Sequence, residues 1–384
     1  MVQDLALQRN KYKHLSDDEW RWFLQQVEGR ERTADKLPSF AAIEDWWYPV
    51  RLSCEQCSSE LAARYKASLV SGDRMVDLTG GYGVDTYFLS EQFQHTDYVE
   101  QNSELCRIAE HNFALANKPV TIHNTSAEAF LFSSPHGEAG WGLIFLDPAR
   151  RDSHGGKVFR LEDCTPNVVE LLPVLLQHSK RLMIKLSPML DLTQAVNALS
   201  QVTWDIYVVA IKNEVKEVLL LSRYTDISKY RDAEPTITAI DLSCPEQAFA
   251  FTREEEKEAQ PQMVNGTLSL GTWIYEPNAA ILKAGAYKLV GERFGLHKLD
   301  INTHLYTSET LVENFPGRVW KVKEPTPTLP KGKEIKQANV LVRNYPMTAE
   351  QLKKKLHLRD GGTVYVIGCR VAGKPTIFLG ERVF

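Results

Sequence analysis

The chain has 384 residues, 43% of them apolar and 10% aromatic, which is enough to bury the cores of two or three domains and excludes a disordered polymer. Its formal net charge of −4 gives no global positive field of the kind that marks a nucleic-acid binder, so any basic surface must be local. The start MVQDLALQRNKYK lacks an apolar signal core, no run reaches transmembrane length, and the six cysteines are scattered; the expectation is a cytoplasmic protein with no membrane contact.

Ser16-Asp17-Asp18-Glu19 is a capping-box pattern, and Trp20, Phe23, Leu24 and Val27 then share one helical face, predicting a small helical domain. A second helix is expected from near Ser53 to about Val70. The aromatic stretch Trp46-Trp47-Tyr48-Pro49 before it reads as core or interdomain packing more readily than as a base-stacking platform. Cys54-x-x-Cys57 is the only close cysteine pair; with no second pair to complete a four-ligand site it reads as structural thiols, and no metal is assigned.

From Arg74 the texture changes to short apolar runs alternating with helical stretches: MVDLT, TDYVE, VTIHN, GLIFLD, LMIKLS, WDIYVVAI and EVLLLS. That alternation predicts an α/β fold with a Rossmann-like, doubly wound parallel sheet of seven strands. Only Lys212-Asn213-Glu214-Val215-Lys216 separates the last two runs, too short for a crossover helix, so they should close the sheet as an antiparallel hairpin. Beyond Tyr224, TITAIDL and AFAFT are candidate strands, and the charged run Arg253 to Glu258 reads as a solvated turn or helix end. Glu276-Pro277-Asn278 introduces a helix with Ile281, Leu282, Ala286, Leu289 and Val290 facing inward, beside strands HLYTSE and RVWKV. The Pro- and Lys-rich segment Lys321 to Lys336 reads as a basic linker, and the last unit follows a β-α-β-β pattern: ANVLVRNY, TAEQLKKKL, VYVIGCRV, TIFLGERVF.

The chemistry concentrates at strand ends. Asp77-Leu78-Thr79-Gly80-Gly81-Tyr82-Gly83 leaves the first strand, where Asp77, Gly81 and Gly83 match the D-x-x-x-G-x-G turn of enzymes that bind S-adenosyl-L-methionine (SAM). Glu100 ends the second strand, where a carboxylate can accept two hydrogen bonds from a ribose diol. NAD domains place an acid similarly, but their G-x-G-x-x-G turn is absent and a terminal hairpin is foreign to their parallel sheet. Ser126 and Ala127, after the third strand, are expected either at the adenine or, in the case of Ser126, as a helix N-cap. The expected cofactor set is therefore Asp77, Thr79, Gly80, Gly81, Gly83, Glu100, Ser126 and Ala127.

Asp147, at the end of the fourth strand before Pro148, is the leading catalytic candidate: it can accept a hydrogen bond from the methyl acceptor and take its proton, or simply cap its own turn. Arg150 and Arg151 stand at the expected substrate mouth, for phosphate contact or for internal pairing with Glu162 or Asp163. Lys185, leaving the fifth strand, is set to meet a substrate anion or to pair with Asp147. No cysteine immediately follows Asp147-Pro148 or the fifth strand, and Cys164 is the only nearby candidate for a covalent mechanism, which favours direct transfer to nitrogen or oxygen.

Together DLTGGYGVD, YVE, LDPARRD, GGKVFRLEDC and IKLSPMLD resemble a bacterial family of SAM-dependent methyltransferases with a ferredoxin-like unit and a C-terminal THUMP-like domain. Over most of the chain, the resemblance implies an N-terminal helical domain (1–70), a SAM-dependent methyltransferase domain (71–270), a ferredoxin-like unit (271–320) and a THUMP-like domain (321–384), the last two being small α+β units. Because THUMP modules bind structured RNA, the resemblance also implies an RNA substrate, tRNA or rRNA. The sequence departs from the Asn-Pro-Pro-aromatic box of adenine and guanine amino-group methyltransferases, since Ala149 and Arg150 replace the second Pro and the aromatic. That leaves the target atom open, along with two rivals: a methyltransferase acting on a protein or small molecule, and a non-catalytic SAM- and RNA-binding protein. The helix cluster Lys353-Lys354-Lys355 reads as a solvated face unless it joins a basic stripe.

Overall fold

The computed structural model describes residues 5, 9–133, 140–150, 160–223, 234–266, 272–326 and 335–383. Two units emerge, Met1–Trp204 with Leu219–Ala233, and Asp205–Val218 with Glu234–Phe384.

In the first unit, helix α1 (Asp17–Thr33) starts at the expected capping box, with Ser16 and Glu19 each satisfying the other's backbone amide. The single helix expected from Ser53 to Val70 is instead two, α2 (Arg51–Gln56) and α3 (Glu60–Ser68). The break has a local cause: Ser59 is extended and its hydroxyl accepts from the Ala62 amide, so the serine that follows Cys57-Ser58 starts a new helix. The aromatic stretch packs inward, as expected. Trp46 and Tyr48 are buried, the Trp46 indole donates to the Tyr82 hydroxyl at 2.9 Å, and Trp47 stacks on His111 at 3.8 Å between ring centroids.

Strands β1 (Gly72–Asp77), β2 (Phe93–Glu100), β3 (Val120–Asn124), β4 (Leu143–Leu146) and β5 (Leu182–Leu186) are parallel, in the order β5-β4-β1-β2-β3. Their centres, including Val76, Val99, Ile144, Phe145, Met183 and Ile184, are buried because helices cover both faces of a parallel sheet. Helices α4 (Val84–Leu89), α5 (Ser103–Leu115), α6 (Ala127–Ser133) and α7 (Val168–His178) provide the connections. The chain runs outward from β1 to β3 and then returns to β4 on the other side of β1. This reversal opens a crevice at the carboxyl ends of β1 and β4, where α/β sheets bind ligands.

Strands β6 (Trp204–Ile211) and β7 (Glu214–Ser222) belong partly to each unit, Leu219–Ser222 lying beside β5 in the first. The expected five-residue link shortens to Lys212-Asn213, both at positive φ (52° and 62°), the conformation of a tight hairpin turn; Glu214 to Lys216 belong to the strand. The hairpin is therefore as expected and its turn tighter. In the second unit β8 (Thr236–Asp241) pairs parallel with β6, and β9 (Phe249–Thr252) pairs antiparallel with β8. Within the second unit, pairing thus continues past the hairpin's outer strand, two strands beyond the seven runs expected.

Among the described residues, the rest of the second unit forms a seven-stranded sheet of β10 (Trp273–Pro277), β11 (His297–Asp300), β12 (Thr303–Ser308), β13 (Gly317–Thr326), β14 (Asn339–Arg343), β15 (Val364–Val371) and β16 (Lys374–Arg382), ordered β11-β12-β10-β13-β16-β15-β14. The helix expected after Asn278 is again two, α8 (Ala279–Ala284) and α9 (Leu289–Arg293), because Gly285 at φ 89° ends the first. The charged run Arg253–Glu258 is a helical turn, and Glu256 accepts hydrogen bonds from the amides of Tyr287, Lys288 and Leu289. Helix α10 (Ala349–Lys355) completes the expected β-α-β-β pattern, with Leu352 buried and Lys353 paired to Asp360.

Candidate active site

A cavity of about 320 Å³ in the first unit is lined by Asp77, Thr79, Gly80, Gly81 and Gly83 of the β1–α4 turn, Glu100 at the end of β2, Ser126 and Ala127 after β3, Asp147 after β4 and Lys185 on β5. The expected cofactor residues thus share one wall system with the expected catalytic acid.

The turn is built by hydrogen bonds and close packing. Asp77 is fully buried; one carboxylate oxygen accepts from the Thr79 amide (2.9 Å), the other from the Thr86 hydroxyl (2.6 Å). These two bonds fix the turn, a role beyond the ligand contact expected of it. Burial pushes the Asp77 carboxyl up to about 7, aided by the charges of Asp85 and Asp147 and opposed by the Thr86 and Thr79 hydrogen bonds. The Thr79 hydroxyl accepts from the Asp147 amide at 2.6 Å, so one threonine ties the ends of β1 and β4.

The glycines have different reasons to be there. Gly81 and Gly83 adopt φ of 56° and 83°, where side chains are strained. Gly80 is demanded by Tyr98, whose ring would stand 2.1 Å from any Cβ there, while the Tyr98 hydroxyl donates to the Gly81 carbonyl at 2.6 Å. Glu100 accepts from the amides of Gly81 (2.9 Å) and Asn102 (2.8 Å), which aims its carboxylate beside the turn. Ser126 lines the cavity, and its hydroxyl takes the helix-capping role of the two expected for it, accepting from the Ala129 amide at 3.1 Å at the start of α6.

The Asp147 carboxylate pairs with Lys185, and 38% of its side chain remains exposed. Of the two roles expected of Lys185, this pairing realises the internal one. Arg151 and the side chain of Arg150 lie outside the described residues, as does most of the loop that follows them. Cys164 is buried and does not line the cavity, although its neighbours Thr165 and Pro166 do. Cys54 and Cys57 are free; burial pushes the Cys54 thiol up to about 12 and raises that of Cys57, so both stay protonated.

One wall escaped the sequence reading. Ser53, Gln56, Cys57 and Ser58, from α2 and the break after it, line the same cavity, and Ser58 and Asp85 meet Lys185 there. Asp85 at least falls inside the DLTGGYGVD signature; nothing local marks Ser58. Among the described residues no group of His, Cys, Asp and Glu is arranged to hold a metal ion, and no helix is long and apolar enough to cross a membrane.

Comparison with known proteins adds to this geometry. Residues 273–316 match a ferredoxin-like domain family and residues 317–382 a THUMP domain-like family. An uncharacterised S-adenosylmethionine-dependent methyltransferase of Mycobacterium tuberculosis H37Rv is 22% identical over 362 residues, covering 91% of this chain and 92% of its own; its counterpart in strain CDC 1551 matches equally. A crystal structure from Porphyromonas gingivalis W83, designated a methyltransferase, is 31% identical, superimposes with a TM-score of 0.82, and covers 96% of this chain and 92% of that one. The chain belongs to the same family as that protein, the SAM-dependent methyltransferases that carry a ferredoxin-like and a THUMP-like domain.

Proposed function

We propose that this enzyme methylates an RNA nucleotide, of tRNA or rRNA, at nitrogen or oxygen, in the cytoplasm. The observation that carries the cofactor half of this reading is the single cavity that gathers the glycine turn, Glu100, Ser126, Ala127 and Asp147 at the sheet's switch point. In this assignment the backbone of Thr79 to Gly83 holds the methionine end of SAM, Glu100 accepts from the ribose hydroxyls, and Ser126 and Ala127 border the adenine. Asp77 supports them by fixing the turn. SAM supplies a methyl group already activated by the positive charge on its sulfonium.

Asp147 accepts a hydrogen bond from the acceptor atom, aims its lone pair and takes its proton, while Lys185 keeps the carboxylate in place. No cysteine thiolate is needed, in keeping with the position of Cys164 outside the cavity. The RNA half rests on the THUMP-like match over residues 317–382, with Arg150 and Arg151 assigned to phosphate contact. We divide the chain accordingly into a helical domain (1–70), the methyltransferase domain (71–270), the ferredoxin-like unit (271–320) and the THUMP-like domain (321–384).

Calorimetric titration of the wild type and of Glu100→Ala with SAM and S-adenosylhomocysteine tests the cofactor site. The expected result is micromolar affinity lost in the variant; a folded wild type that binds neither ligand refutes the assignment. Tritiated-methyl transfer to tRNA and rRNA fractions tests the substrate, with Asp147→Ala expected to bind S-adenosylhomocysteine as the wild type does, to keep SAM binding in the micromolar range and to lose turnover. Label entering only protein or small molecules would move the substrate elsewhere.

A further inference from the structure

A buried run of charge joins the N-terminal helical segment to the Asp147 side of the cavity. Ser58, in the break between α2 and α3, uses its hydroxyl fully: the O–H donates to Asp85 Oδ2 at 2.7 Å, and the oxygen accepts from Lys66 Nζ at 3.1 Å and Lys185 Nζ at 3.2 Å. Lys66, with none of its side chain exposed, also stands 3.1 Å from Asp85 Oδ1. Lys185, 11% exposed, lies 3.6 Å from Asp85 Oδ2 and pairs with Asp147. Burial disfavours the Asp85 carboxylate, yet the two ammonium groups outweigh it and hold its carboxyl below the usual range.

Lys66, Asp85, Lys185 and Asp147 thus form an alternating chain of two positive and two negative charges, three of the four largely withdrawn from water. As a source of stability such a cluster is poor, because desolvating each ion costs several kcal/mol and apolar residues of similar volume often do as well. Its position is more telling: Asp85 and Lys185 both line the cavity, and the chain ends on Asp147.

We infer that Ser58, Lys66 and Asp85 act through Lys185 as positioning residues that fix the orientation of Asp147, so that the N-terminal helical segment is part of the methyl-transfer site. One consequence is that the chain tunes how strongly the cavity prefers the cationic sulfonium of SAM over the neutral thioether of S-adenosylhomocysteine. This inference rests on the reading above in which the sulfonium faces Asp147.

The test is the ratio of the two dissociation constants, Kd of S-adenosylhomocysteine over Kd of SAM, measured calorimetrically on the full chain. Lys185→Met removes a positive charge beside Asp147 and should raise the ratio roughly tenfold, the effect of one unit charge in a medium of intermediate dielectric. Asp85→Asn removes a negative charge and should lower the ratio by a similar factor. The double variant should return close to the wild-type ratio, because the two opposite changes of charge cancel. Lys66→Met, one ion further away, should move the ratio in the same direction as Lys185→Met but less, and serves if Asp85→Asn does not fold. Loss of packing alone changes both constants together, so an unchanged ratio in the folded variants overturns the inference. A wild type that binds neither ligand fails earlier and differently, removing the cofactor reading itself.

Discussion

Gly80→Ala probes the cofactor turn through a single methyl group. The added carbon would lie 2.1 Å from Tyr98 Cε2, 2.4 Å from Cζ and 2.5 Å from Cδ2, far inside van der Waals contact. Tyr98 is fully buried, meets Phe113 edge-on at 5.9 Å, and is anchored by its hydroxyl on Gly81, so its ring has little room to retreat. Overpacking of this kind costs about 1–3 kcal/mol, and disturbing the anchoring hydrogen bond about 1 more, giving an expected loss of about 2–4 kcal/mol. Urea unfolding followed by tryptophan fluorescence measures it. The φ of Gly80 is not in the left-handed region, so the alanine backbone itself is unstrained. In a Tyr98→Ala background the same substitution should therefore cost under about 1 kcal/mol, a coupling that a double-mutant cycle reads directly. If Gly80→Ala stays within about 0.5 kcal/mol of wild type in the native background, the turn is not shaped by Tyr98 and the reasoning fails.

Asp77 carries a pH signature: its carboxyl ionises near its ordinary value of about 4 when unfolded but is raised to about 7 by burial when folded. Between those values the native state holds a proton that the unfolded chain has released, so stability should decline as pH rises from about 4 to 7, by up to about 4 kcal/mol. Asp77→Asn lacks this term, and wild-type and variant stability curves that run parallel over that range would refute it. Glu276 in the second unit is 1% exposed and sits 2.5 Å from both Arg318 Nη2 and Arg343 Nε, whose side chains are about a third exposed. Glu276→Gln leaves arginines that can turn to water and should cost about 1–2 kcal/mol, whereas Arg318→Met with Arg343→Met strands a buried carboxylate and should cost about 3–5 kcal/mol. Denaturation midpoints showing the reverse order would contradict this account.

Much of the first unit was legible because its signals are local. The glycine turn, the strand-end acids Glu100 and Asp147, the capping box at Ser16 and the alternation of strand and helix each lie within a few residues of chain, where spacing alone fixes which backbone conformations fit. The break at Ser59 and the tight Lys212-Asn213 turn were missed at the same scale, since single hydrogen bonds and two positive φ angles decided them. The Ser58–Lys66–Asp85–Lys185–Asp147 chain could not be read at all: its members come from two helical segments, a turn and two strand ends, and only the parallel crossovers bring them within hydrogen-bonding reach. Likewise, Gly80 falls at an unspecified position of the D-x-x-x-G-x-G turn and its reason could not be read there, because the ring that excludes a side chain belongs to the neighbouring strand. Sequence determined which chemistry stands at the ends of the strands; tertiary packing decided which charges face one another there, because side-chain contacts between distant segments leave no periodicity in the chain.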